Sequence, residues 1–139
     1  MQQALGEIVV ETQGQGFYEV TERICDWVAS QALGEGLLTV YMRHTSASLL
    51  IQENIDPDVQ HDLLTYFRAL VPEDTSHYRH IAEGADDQPA HIRAAMTQTH
   101  LAIPMRQSRP LLGRYQGIFV FEHRRVGRPR HLALHLLGV

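Results

Sequence analysis

Side chains able to ligate, bind anions or move protons gather in four short runs: "HTSASLLIQENIDPD" at 44–58, "HYRH" at 77–80, "DDQPAH" at 86–91 and "FEH" at 121–123. His44, His80 and His91 come from separate segments. Three imidazoles with one open position form a known catalytic zinc arrangement. Neutral imidazole is the ligating form, and a place in the first turn of a short helix would favour it at His91. The spacing 44, 80, 91 matches no short motif such as H-E-x-x-H, so surface histidines are the competing assignment. Ser46 and Ser48 share a face if their segment is extended. They could then hold phosphate oxygens, helped by the N-terminus of a helix starting at Pro57. Neither serine lies in a G-x-S-x-G elbow, and no local His/Asp pair would activate it as a nucleophile.

The carboxylates divide. Asp56 and Asp58 are accounted for as N-cap and first-turn acid of that helix. Glu53 and Asn54 are left over for acid–base work. Asp86 and Asp87 either bind a divalent ion, orient a liganding histidine, or lie in a solvated loop. Glu122 closes an alternating strand, as a general base or as a solvated strand end, with His123 on the opposite face. His131 and His135 are expected at the surface or at a subunit contact, and His61, His77 and His100 have no distinctive setting. Arg124, Arg125, Arg128 and Arg130 make a local basic cluster, read as a solvated turn with anion contact as the alternative.

These groups need a scaffold. "GEIVVETQ" and "GFYEVT", split by "QGQG", read as a β-hairpin. "TERICDWVASQALG" places Ile24, Trp27, Val28 and Ala32 at helical spacing, with Thr21 as N-cap and Gly34 as C′ residue. Cys25 and Trp27 then belong to a core-facing helix. "GLLTVYMR" and "ASLLIQE" read as strands, and "DPDVQHDLLTYFRALVP" as a helix capped by Asp56, with Pro57 at N1 and Val59, Leu63, Phe67 and Leu70 in register. Residues 72–89 show no hydrophobic period, which marks a long functional or disordered loop. A short helix is expected from Pro89, and the tail "LAIPM", "RPLL", "RYQGIFVFEH", "RHLALHLLGV" reads as successive strands. Strand-rich flanks around a helical middle, without βαβ alternation, predict a single α+β domain over 1–139. Its sheets should be largely antiparallel, with two main helices and a short third.

The totals narrow the function classes. With 139 residues the chain can bury a core without staples, and Cys25 alone permits neither an intrachain disulfide nor a thiolate cluster. All twelve basic residues are arginine, which excludes Schiff-base chemistry and a P-loop lysine. A net charge of −4 gives no global attraction to nucleic acid, so no nucleic-acid partner is expected. No apolar run reaches membrane-span length and "MQQALGEIVV" lacks signal-peptide features, so no membrane association and a cytoplasmic location are expected. Nine histidines are the unusual count and direct attention to metals.

"HTSASLLIQENIDPDVQHDL", "YRHIAEGADDQPAHIRAAM", "LAIPM", "LLGRYQGIFVFEHR" and "GRPRHLALHLLG" together resemble, in order and spacing, the YjbQ-like or secondary thiamine-phosphate synthase family. The similarity runs from about Gly6 to the C-terminus. It implies an α+β trimer with weak thiamine-phosphate synthase activity, coupling hydroxymethylpyrimidine diphosphate to thiazole phosphate with loss of pyrophosphate. The positions it picks out are His44, Ser46, Ser48, Glu53, Asn54, Asp56, His80, Asp87, His91, Gln116 and Glu122; Tyr115 stands where the family usually has Trp. The resulting expectation is a homotrimeric transferase of a small phosphorylated substrate with a divalent ion, zinc or magnesium, on His44, His80, His91 and Asp87. Glu53, Glu122, Ser46, Ser48 and Asn54 would serve catalysis. A metal-dependent hydrolase and a non-catalytic metal- or metabolite-binding protein are the alternatives.

Overall fold

The computed structural model describes residues 1–139. In chain order the elements are β1 (Gln2–Glu11), β2 (Gly16–Glu19), α1 (Thr21–Ser30), β3 (Gly36–Met42), β4 (Ala47–Glu53) and α2 (Pro57–Leu70). A 3-10 turn (Thr75–His77), α3 (Asp87–Met96), β5 (His100–Arg106), β6 (Arg109–Pro110), β7 (Gln116–Glu122) and β8 (Pro129–Gly138) follow. A five-stranded sheet has the order β1-β8-β3-β5-β6 and a three-stranded sheet the order β2-β7-β4. Every strand pairing is antiparallel, so the chain is an α+β domain of the expected kind.

One apolar cluster joins the two sheets. Leu38, Val40, Leu132, Leu134, Leu136 and Ile103 line the larger sheet, Leu49, Ile118 and Val120 the smaller, and Ile24 and Val28 come from α1. Gly6 lets α1 lie across β1, because a Cβ there would sit 2.4 Å from the Trp27 indole nitrogen. Strand β7 is buried on both faces: Phe119 and Phe121 turn away from the core, and Phe121 meets Phe17 of β2 and Phe67 of α2. The capping of α2 is as its sequence suggests, with Asp56 Oδ1 accepting from the Asp58 N–H at 2.9 Å. No helix is long and apolar enough to cross a membrane.

Several local expectations need correction. Strands β1 and β2 form no hairpin: β1 pairs with β8 and β2 with β7. Gly14 and Gly16 adopt positive φ between them and carry the chain from one sheet to the other. Thr21 is the first residue of α1, not its cap; its hydroxyl donates to Glu19 and accepts the Ile118 N–H of β7. The left-handed residue after α1 is Ala32 rather than Gly34. Helix α3 begins at Asp87, two residues before Pro89, so His91 lies in its second turn. The arginine run is only partly a solvated turn: Arg125 is exposed, but Arg130 is buried and the Arg124 side chain is only 12% exposed.

Candidate functional site

The N-terminus of α3 puts Asp87 and His91 one helical turn apart, on one face. Asp87 Oδ2 lies 3.2 Å from His91 Nε2 and 2.7 Å from Nε2 of His80, which the preceding loop delivers. The three potential ligand atoms lie within 4.8 Å of one another. Asp87 is held from behind by Arg124, whose Nη1 is 2.8 Å from Oδ1. The same guanidinium donates from Nε to Asp86 Oδ2 and from Nη2 to the Glu83 carbonyl, fixing the loop to the end of β7. Burial pushes the Asp87 carboxyl up, but hydrogen bonding from His80 and then Glu83, with the His91 imidazole and the Arg124 guanidinium beside it, outweigh it, and the net shift is down. Asp86 is likewise held low against its burial by Arg124 and the Arg125 N–H.

The orientation of His91 is informative. Its Nδ1 lies 2.8 Å from the Thr45 carbonyl, which can only accept, so Nδ1 carries the proton. In the neutral ring Nε2 then presents a lone pair to a carboxylate oxygen and a second imidazole. Such lone pairs repel unless a cation or proton lies between them, and a carbonyl on the far nitrogen is a common way of aiming a liganding histidine. Glu83 Oε2 adds another carboxylate 3.2 Å from His80 Nε2.

His44 lies apart from this cluster. Its Nε2 accepts the His131 N–H at 2.8 Å, leaving Nδ1–H as a donor. Burial, followed by the nearby positive charge of Arg130 and His131, lowers its pKa, so it is neutral at pH 7. His44 and His91 line one cleft of ≈ 560 Å³ with Tyr41, Arg43, Thr45 and Thr99. The geometry makes His44 a hydrogen-bond donor beside the cluster rather than a ligand in it.

The other expected residues sit in structural roles. Glu122 is fully buried, with Oε1 accepting from Arg130 Nε at 2.8 Å and Thr12 Oγ1 at 2.6 Å. Its Oε2 accepts the N–H groups of His123 and Arg124, so no lone pair is free for a substrate proton. Ser46 Oγ accepts from Arg130 Nη2 at 2.9 Å. Ser48 is buried 2.9 Å from His123 Nε2 and accepts from Thr97 at 2.6 Å, out of reach of a phosphate. Glu53 Oε2 accepts the N–H groups of Ile55 and Asp56 and closes the turn into α2. Asn54 donates to Glu19.

Register settles the separation. Ala47 opposes Glu122 at one end of the β4–β7 ladder and Glu53 opposes Gln116 at the other. Seven strand residues span about 20 Å, so Glu53 and Asn54 cannot meet His91 within one chain. Arg124, Glu83 and the Thr45 carbonyl are the site groups that sequence inspection missed. Only the nearness of "EHRR" to a carboxylate-rich loop could have suggested Arg124, because a backbone carbonyl leaves no mark in a sequence.

The family model described as "UPF0047 protein YjbQ-like" matches residues 6–139. The chain belongs to the YjbQ-like UPF0047 family. It is 47% identical to a UPF0047 protein of Synechocystis over 131 residues, covering 94% of this chain and 89% of that protein. It is 39% identical to the UPF0047 protein YjbQ of Escherichia coli over 132 residues, 94% of this chain and 95% of that one. A conserved hypothetical protein of Thermus thermophilus, solved by crystallography, superposes with TM-score 0.85 at 30% identity, covering 95% of this chain and 99% of that one. A Sulfolobus solfataricus protein described as "YbjQ-like" and of unknown function has TM-score 0.90 at 20% identity, covering 99% of each chain, and shares the fold.

Proposed function

We propose that this chain is a metal-dependent enzyme of small phosphorylated molecules, with weak thiamine-phosphate synthase activity. It would join hydroxymethylpyrimidine diphosphate to thiazole phosphate with release of pyrophosphate. One observation carries the metal part: two imidazole nitrogens and a carboxylate oxygen converge within 4.8 Å, with the His91 tautomer set by the Thr45 carbonyl. His80, His91 and Asp87 are the proposed ligands. Two nitrogens and one oxygen suit zinc or ferrous iron, both used at open catalytic sites, better than magnesium, which prefers oxygen. When bound, such an ion supplies positive charge against the oxygens of a diphosphate leaving group.

The side chains around the cleft fit that reaction. Coupling forms a C–N bond from the thiazole nitrogen lone pair and breaks a C–O bond, whose electron pair leaves on pyrophosphate. No protein nucleophile or base is required, which agrees with Ser46, Ser48, Glu53 and Glu122 all being engaged elsewhere. Arg43, exposed and loosely paired with Glu7 at 3.6 Å, and the Nδ1–H of His44 are the donors proposed for phosphate oxygens.

A homotrimer is part of the proposal. The outer face of the larger sheet exposes Leu5, Leu37, Tyr41 and Leu137, and Tyr41 also lines the cleft. Light scattering is expected to give about 47 kDa for three 15.8 kDa chains, and a mass near a single chain would remove the trimer. A cytoplasmic location is proposed with it, Cys25 having no intrachain partner.

Elemental analysis after metal reconstitution tests the site, with about one ion per chain expected and loss in His91→Ala. Failure of the wild type to take up metal overturns the ligand set. Uptake without formation of thiamine phosphate and pyrophosphate overturns the synthase and leaves a hydrolase or a binding protein.

A further inference from the structure

We infer that the pocket between the C-terminal end of α2 and α3 binds a phosphate-class oxyanion, with Arg93 and Arg68 as its cationic partners. The pocket is ≈ 280 Å³ and is lined by Arg68, Pro72, Glu73 and Arg93. It shares no lining residue with the cleft at His44 and His91.

Arg93 is the decisive residue. It is only 3% exposed, yet its side chain makes one hydrogen bond, from Nη2 to the Val71 carbonyl at 2.7 Å, and its Nε has no partner. Burial pulls its pKa down, with Arg68 adding to the effect and Glu73 opposing it. A buried guanidinium whose Nε–H has no acceptor is costly unless an anion meets it. Two other arginines of low exposure are paired: Arg130 faces Glu122, and Arg124 faces Asp86 and Asp87. Arg93, more buried than Arg124, has no carboxylate at ion-pair distance; half-buried Arg128 shares the unpartnered Nε but lines no such pocket.

Nearby carboxylates are committed elsewhere. Glu73 accepts from Gln15 Nε2 through Oε1 and from Arg125 through Oε2. Asp86 is held by Arg124 and by the Arg125 N–H. Turning either toward Arg93 would strip another cation or donor of its partner. Arg68 contributes a second guanidinium, held at Nε by Gln15 Oε1 at 3.0 Å. Apart from the Pro72 ring the lining is charged, so the pocket suits a compact, multiply hydrogen-bonding oxyanion rather than an aromatic or lipid ligand. Inorganic phosphate and a phosphate monoester share that chemistry.

Isothermal titration of inorganic phosphate, and separately of glycerol phosphate, into the full chain at constant ionic strength tests this. Because Arg93 is buried, the deciding variant is Arg68→Glu, on an exposed position of α2. One saturable site per chain is expected in wild type, weakened at least tenfold in Arg68→Glu and retained in His91→Ala. The tighter of the two titrants identifies the source of the anion. Absence of saturable binding, equal affinity in Arg68→Glu, or loss only in His91→Ala would each overturn the inference, the last by placing the anion at the proposed metal cleft.

Discussion

Replacing Glu122 by Ala is expected to lower folding stability by about 3–5 kcal/mol, because it breaks a buried ion pair by removing one partner. The magnitude follows from what the carboxylate satisfies. Arg130 Nε and Thr12 Oγ1 reach Oε1, while the His123 and Arg124 N–H groups reach Oε2. Without it Arg130, only 2% exposed, keeps just the carbonyl and hydroxyl of Ser46 for a fully charged group. In urea, with a slope of about 2 kcal/mol/M for a domain of this size, the midpoint should fall by about 1.5–2.5 M. The double variant Glu122→Leu/Arg130→Met should recover most of that loss, since a packed apolar pair leaves no unpaired charge. If the carboxylate is structural, the double variant also keeps metal uptake, and any coupling activity, within a few-fold of wild type. A single variant within about 1 kcal/mol of wild type that has lost 10²–10⁴-fold in activity would refute this and restore Glu122 as a proton-transfer group.

Three further perturbations probe neighbouring parts of the structure. Burial, with Arg93 and Arg130 nearby, lowers the His123 pKa to about 3, so the unfolded chain takes up this proton first as pH falls. Its contribution is fully present above about pH 6.5 and lost on acidification, amounting to about 2 kcal/mol by pH 5. Urea midpoints should therefore fall more steeply from pH 7 to 5 in wild type than in His123→Leu, and parallel slopes would contradict it. Arg124→Gln should weaken metal binding about 10–100-fold in a chelator competition, because Asp87 loses the group that fixes Oδ1; unchanged affinity would place the metal elsewhere. Gln107, exposed at φ 53 in the two-residue turn joining β5 and β6, should gain about 1 kcal/mol as Gln107→Gly in thermal melts, and no gain would mean the left-handed backbone costs nothing there.

What could be seen in the sequence depended on distance along the chain. Helix α1 is legible from its apolar spacing, though not in its caps, and α2 from both, because Asp56, Pro57 and Asp58 encode its start within three residues. Strands were legible as strands, since alternation needs only neighbours. Their partners were not: Val10 pairs with Arg130 and Phe17 with Phe121, and nothing local to "QGQG" says that the chain changes sheets there. Pro89 suggests a first-turn residue and so a late start for α3, whereas Asp87 opens the helix and is held by Arg124.

The same limit applies to the carboxylates. Glu53, Asp87 and Glu122 are indistinguishable as residue types at element ends, and their roles differ only in which donors reach them. Two backbone N–H groups of a turn meet Glu53, and a guanidinium and a hydroxyl meet Glu122. Asp87 instead has one oxygen tied to Arg124 and the other facing two imidazoles. The β4–β7 register then separates them in space, placing Glu53 about 20 Å from the end where Thr45 aims His91. Groups able to ligate a metal therefore converge at the end of the ladder where segments following β3 and β7 meet α3. There a single carboxylate oxygen is left with imidazoles rather than fixed cations, which is why His80, Asp87 and His91, and not the wider polar set, are the residues whose substitution should remove the metal.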